Sequence, residues 1–148
     1  MKTRLATSED ADDKLIYAMF DKELGRTPNS SYVKRQAAAG NIIVLLDGLV
    51  VEEIVGTIAV NFVGTSETPV IEWLCINGTD SSQALVTLEE AMFDHLRKQG
   101  YDFVLRTATH AQPLHINYYA ACGLLPTGTL ITGDQLDDHQ VFYKQRID

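Results

Sequence analysis

The sequence predicts an α/β domain (α+β in its mixed strand directions) built on a mixed central sheet with helices on both faces, in the order β-α-α-β-β-β-α-β-α-β. Three observations carry this. Apolar runs such as Ile42-Ile43-Val44-Leu45-Leu46 and Val70–Ile76 alternate with segments of helical periodicity. Asp47-Gly48 separates two of the runs and signals a hairpin, hence antiparallel pairing. The run Val70–Ile76, the helical segment Gln83–Gln99 and the run Tyr101–Thr107 read as a βαβ unit, whose two strands are parallel.

The elements follow in order. Leu5 begins a short first strand that ends near Ala6. Thr7-Ser8-Glu9-Asp10-Ala11-Asp12-Asp13 reads as a helix start: Thr7 or Ser8 can cap it, and the acids suit the positive end of the dipole. Leu15, Ile16, Met19 and Phe20 then recur at helical spacing, and Gly25, Pro28 and Asn29 break the pattern. A second helix over about Ser30–Ala39 stops at Gly40. The run Ile42–Leu46 is a strand; the run Val50–Val60 is another, starting late after a wide turn. Gly64–Pro69 is polar and turn-rich, Val70–Ile76 a further strand, and Asn77–Ser82 a loop rich in helix caps. The long helix places Leu85, Leu88, Met92 and Leu96 on one face and ends at Gly100. After the strand Tyr101–Thr107, a short helical segment stops at Gly123, Pro113 suiting its first turn. The strand Gln140–Gln145 closes the chain.

A chain of 148 residues is read as one domain spanning 1–148. A domain of that size buries about 68–70% of its unfolded surface, enough for a substantial core. No apolar run approaches the roughly 18 residues of a membrane span. Met1-Lys2-Thr3-Arg4-Leu5 lacks the apolar stretch of a signal peptide, so the expected location is cytoplasmic, with no membrane partner. A phosphate-backbone binder needs a basic face, so the net charge of −8 argues against nucleic acid. The same charge would favour a cationic substrate such as an amine, although solubility alone also accounts for it. Cys75 and Cys122 both sit in apolar settings and read as small hydrophobes. No CxxC or HxxxH spacing points to a metal, and Asp137-Asp138-His139 reads as a solvated turn.

The last third carries the most specific signal. Asn117-Tyr118-Tyr119-Ala120-Ala121-Cys122-Gly123-Leu124, after one strand-like run and before another, resembles the aromatic-Tyr-x-x-x-Gly-aromatic signature of the GNAT superfamily of N-acetyltransferases. Further pieces resemble that family in order and spacing. They are Arg4-Leu5-Ala6-Thr7-x-x-Asp10-Ala11, Asp47-Gly48 before Ile54-Val55-Gly56-Thr57-Ile58, the strand Val70–Ile76, and Gly100-Tyr101-Asp102-Phe103-Val104-Leu105. Together they span nearly the whole chain. The resemblance implies acetyl-CoA, or another acyl-CoA, as co-substrate and direct acetyl transfer to a small-molecule or peptide amine. A homodimer through the last strands is common among relatives.

The resemblance also implies site residues. The pantetheine arm would pair with the backbone of Leu74, Cys75 and Ile76 as an added strand. The pyrophosphate would rest on the loop and helix start holding Ser82, Gln83 and Ala84, and Asn117 would hydrogen-bond the co-substrate. Tyr119 is the candidate general acid for the departing thiolate, with Tyr118 packed inward. Glu72 is the candidate general base, its pKa expected to rise on partial burial. Strand alternation puts Glu72, Leu74 and Ile76 on one face and Trp73 and Cys75 on the other, unless a bulge intervenes. His115, four residues before Tyr119, would share its helix face.

One motif departs from the family. The phosphate loop Gln/Arg-x-x-Gly-x-Gly/Ala is replaced by Thr79-x-x-Ser82-x-Ala84, and no Lys or Arg lies between Val70 and Leu96. That departure implies weakened co-substrate binding, a different acyl carrier, or none. It keeps open a second function: a catalytically inactive GNAT-fold binding or regulatory module.

Overall fold

The computed structural model describes residues 1–24, 27–77, 81–109, 121, 124–131 and 139–148. The strands are β1 (Lys2–Leu5), β2 (Ile42–Asp47), β3 (Glu53–Val63), β4 (Thr68–Ile76), β5 (Phe103–Thr109), β6 (Leu125–Ile131) and β7 (His139–Arg146). The helices are α1 (Lys14–Leu24), α2 (Ser30–Ala38) and α3 (Ser81–Lys98), with a 3-10 turn at Asp10–Asp12. The order is the expected one with a further strand, β6. Its sequence, Leu-Pro-Thr-Gly-Thr-Leu-Ile, carries a proline and a glycine that read as turn residues. β6 is an end strand of its sheet, where a missing N–H is tolerated, and its register shifts between Pro126 and Gly128. The helical segment expected before Gly123 lies outside the described residues except for Ala121, which is helical.

The chain divides into two units, Met1–Val60 with Trp73–Leu96, and Asn61–Glu72 with Arg97–Asp148. In the first, the strands run in the order β1-β2-β3-β4. β1 and β2 are antiparallel, with Thr3 opposite Leu45. β2 and β3 are antiparallel across the expected wide turn, in which Gly48 has φ 135° and a Cβ would lie 2.0 Å from the Val51 carbonyl oxygen. No residue but glycine fits there.

Alternation along β2 feeds two cores. Ile42, Val44 and Leu46 join Trp73 and Cys75 of β4 against Ile16, Met19 and Phe20 of α1 and Val33 and Ala37 of α2. The Phe20 ring stands edge-on to Trp73 at 5.0 Å and to Tyr17 at 5.8 Å. Leu45 points the other way, where Gly56 of β3 lies under Leu88 of α3. Helices therefore cover both faces of this unit. The buried residues of α3 are Ala84, Leu88, Met92, Phe93 and Leu96; Leu85 is half-buried at their border.

The helix starts show which caps the chain uses. Asp13, rather than Thr7 or Ser8, caps α1: its Oδ1 accepts from the Leu15 N–H at 2.8 Å. Asn29 caps α2, accepting from Ser31 N–H at 2.9 Å, and Gly40 with φ 76° follows its end.

In the second unit the order is β4-β5-β7-β6. β4 and β5 are parallel, with Val70 opposite Leu105, as the βαβ reading requires. β5 is antiparallel to β7 from Phe103 opposite Arg146 to Thr109 opposite Gln140. Arg106, buried in β5, donates to Gln145 Oε1 at 2.5 Å. Among the described residues no helix is long and apolar enough to cross a membrane.

Candidate active site

β4 carries four of the residues expected at the site, Glu72, Leu74, Cys75 and Ile76. Trp73 and Cys75 are buried in the α1/α2 core, at 4% and 0% exposure, and Trp73 Nε1 donates to Thr57 Oγ1 at 3.4 Å. Glu72 and Leu74 are half-buried on the opposite side of the strand. The expected alternation therefore holds from Glu72 to Cys75. The Oε2 oxygen of Glu72 is itself buried. That one oxygen is shielded from bulk water, and the residue as a whole is half-buried.

The end of β4 is fixed by a feature of β3. The register of β2 on β3 shifts between Leu45, opposite Gly56, and Leu46, opposite Ile54, so Val55 is an extra residue. The carbonyl of Val55 accepts from Asn77 N–H at 2.8 Å, immediately after β4 ends. Gly56, the next residue, lets α3 approach: a Cβ there would lie 2.9 Å from Leu88 Cδ1 and 3.3 Å from the Cys75 carbonyl oxygen. Val55, Gly56 and Asn77 were not singled out as site residues. A glycine inside an apolar strand was the available signal for this close approach.

α3 opens with Ser81-Ser82-Gln83-Ala84 and has no acidic residue in its first turn. Ser82 and Gln83 are exposed, whereas Ala84 is 3% exposed and anchors the turn. Thr87 Oγ1 donates to the Gln83 carbonyl at 2.8 Å. The first N–H groups of a helix lack intrahelical partners and stand at the positive end of its dipole, an arrangement suited to an anion. Leu74, Cys75 and Ile76 and then Ser82, Gln83 and Ala84 thus occupy consecutive elements of one unit. Thr79, His115, Asn117, Tyr118, Tyr119 and Cys122 lie outside the described residues, as do Asp137 and Asp138. His139 is the first residue of β7, opposite Ile131, rather than part of a turn. No group of three His, Cys, Asp or Glu able to hold a metal occurs among the described residues.

The chain is similar to several solved acetyltransferases over almost its full length. One is an acetyltransferase of the GNAT family from Bacillus cereus, with TM-score 0.72, 13% identity, and 98% of this chain and 96% of that one covered. A second is the aminoglycoside 6′-acetyltransferase type Ii, with TM-score 0.75, 13% identity, and coverage of 100% and 98%. A third is yncA, a putative acetyltransferase from Salmonella typhimurium with its cofactor acetyl-CoA, with TM-score 0.69, 13% identity, and coverage of 100% and 94%. The fold is the GNAT acetyltransferase fold. No protein-family model and no curated protein matches the sequence. At these identities the likeness speaks for the GNAT fold alone. In it, β4 and α3 are the fourth strand and the following helix on which the sequence resemblance placed the co-substrate.

Proposed function

We propose that the protein is an acetyl-CoA-dependent N-acetyltransferase, a single domain over 1–148 acting on a small-molecule or peptide amine by direct transfer. One observation carries the reading. In a GNAT fold, β4 leads to the acid-free first turn of α3, and Glu72, with a buried carboxylate oxygen, precedes that path by two residues.

Each residue then has a role. The backbone of Leu74, Cys75 and Ile76 pairs with the pantetheine amides as an added strand would. Burial of the Cys75 and Ile76 side chains holds that backbone still. The amides at the start of α3, with the Ser82 hydroxyl and Gln83 beside them and small Ala84 below, receive the pyrophosphate. The Asn117 side chain hydrogen-bonds the co-substrate. Glu72, directly or through a water, accepts a proton from the acceptor amine, which must be neutral to attack. The amine nitrogen forms a bond to the thioester carbonyl carbon as the carbon–sulfur bond breaks. Tyr119 gives its hydroxyl proton to the departing thiolate, and exchange with water restores both side chains. No covalent enzyme intermediate is needed.

Turnover of acetyl-CoA against a panel of amines tests the proposal. Glu72→Gln and Tyr119→Phe should each lower kcat by about 10²- to 10⁴-fold, the usual worth of a positioned acid or base. Rates equal to the parent protein would remove both residues from the mechanism. A second reading, a binding module without catalysis, draws on one observation: Ser82 stands where the family places a glycine. It expects weak or no CoA binding and no turnover of any amine in the panel.

A further inference from the structure

The turn between β2 and β3 departs from the usual chemistry of turns. Turn residues are mostly Gly, Pro, Asn, Asp and Ser, yet Gly48 is followed by Leu49, Val50 and Val51. Leu49 and Val50 are exposed at 105% and 97%, and Val51 at 70%. Single exposed apolar residues are ordinary, whereas a run of them on a projecting tip points to a surface that something covers. Met1, exposed at 59%, adds to the patch from the start of β1, where Lys2 stands opposite Leu46. The tip is held in shape. Gly48 has a φ of 135°, and Asp47 Oδ1 accepts from the Gly48 N–H at 3.1 Å. Lys2 Nζ, 2.6 Å from Glu52, ties β1 to the far end of the turn.

The charge around the tip narrows what fits it. Asp47 and Glu53, opposite each other in register, and Glu52 border the three apolar residues. Lys2 and the Met1 amine face these acids, the amine 4.0 Å from Asp47 Oδ1. Arg4, the other cation of β1, turns to Asp10. Three carboxylates against two cations leave the border net negative, in a chain of net charge −8. A lipid surface is a poor match: the tip carries no Trp, Tyr, Lys or Arg to sit among headgroups, and anionic lipid repels its acids. A second copy would set the same acidic border against itself. A polypeptide with apolar side chains flanked by Lys and Arg complements both the tip and its border.

We infer that the β2–β3 tip is a docking site for a basic, amphipathic polypeptide. Leu49, Val50 and Val51 supply the apolar contact that leaves water on binding. Asp47, Glu52 and Glu53 select for Lys and Arg around it. Because the turn is already formed, binding orders little of this chain. The inference does not depend on the acyltransferase reading, and none of its residues belongs to the proposed catalytic set.

A displayed library of short random peptides, selected on the full chain, tests it. Selected peptides should join Leu, Ile, Val or Phe to flanking Lys or Arg. Their synthetic forms should bind several-fold more weakly at about 300 mM salt than at about 50 mM. Leu49→Ser, Val50→Ser and Val51→Ser together should weaken that binding by about tenfold or more. Thermal stability should stay unchanged, since the three side chains are exposed. Glu53→Lys should weaken binding by a smaller factor and reduce its salt dependence. Peptides that ignore both variants, selection of acidic or uncharged sequences, or no selection at all would overturn the inference. Binding to phosphatidylcholine vesicles, or self-association, that the triple variant abolishes would overturn it too, by giving the tip another occupant.

Discussion

The Asp10 carboxylate gathers four hydrogen bonds, two from the Arg4 guanidinium at 2.6 and 3.0 Å and two from the Thr7 N–H and hydroxyl at 2.7 and 3.2 Å. The Arg4 bond is the main reason its pKa lies below the ordinary carboxylate value of 3.8, partial burial opposing it. A depressed folded pKa contributes stability that is fully present above the unfolded value and is lost as pH falls through the folded one. Asp10→Asn should therefore cost about 1 kcal/mol at neutral pH, discounted for the solvent-screened Arg4 side chain. It should also flatten the acid limb of a thermal-stability profile below about pH 4. The side of β4 on which Glu72 lies was legible at this scale from strand alternation, and the buried Trp73 and Cys75 agree; its role was suggested by the family resemblance alone. Tyr119 was suggested only by its motif and lies outside the described residues. Asp13 as the cap of α1 was not legible, because Thr7, Ser8 and three aspartates offered competing caps in seven residues, 7–13.

At the scale of elements, α1 packs on β4 through a few large side chains, and α3 packs on β3 through one absent one. Phe20 is fully buried between Tyr17 and Trp73, so Phe20→Ala should cost about 3–5 kcal/mol in chemical denaturation, the range for a large aromatic truncated in a core. Gly56 works in the opposite sense. Gly56→Val would press on Leu88 and on the Cys75 carbonyl, and should destabilise by about 1–3 kcal/mol through overpacking. It should weaken donor binding as well, since the added side chain would press on the Cys75 carbonyl of β4, within the backbone proposed to pair with the donor. Donor affinity unchanged in a folded Gly56→Val protein would separate that packing from the site. Hydrophobic period and turn residues made β2, β4, β5, β7 and all three described helices readable. β6 was hidden because Pro126 and Gly128, tolerable in an end strand, are loop residues in any local reading. The Val55 bulge is a property of two strands in register and has no local signature.

At the scale of the molecule, the order of elements and the GNAT fold followed from the sequence, while the character of the proposed donor site follows from charge. Twelve Lys and Arg against twenty Asp and Glu leave an acidic protein, and its cations avoid the stretches that would face phosphate. In the proposed site a donor is held by backbone: the ladder of β4 at Leu74–Ile76 and the amides opening α3. A negative side chain introduced among those amides opposes the donor directly, without touching the core, because Ser82 is exposed. Isothermal titration of acetyl-CoA into the parent protein and into Ser82→Glu is therefore the most direct measurement. Micromolar binding by the parent, lost in a variant of unchanged thermal stability, is the expected result. No heat and no thermal stabilisation of the parent protein at millimolar acetyl-CoA would contradict it, and would leave a GNAT fold put to another use.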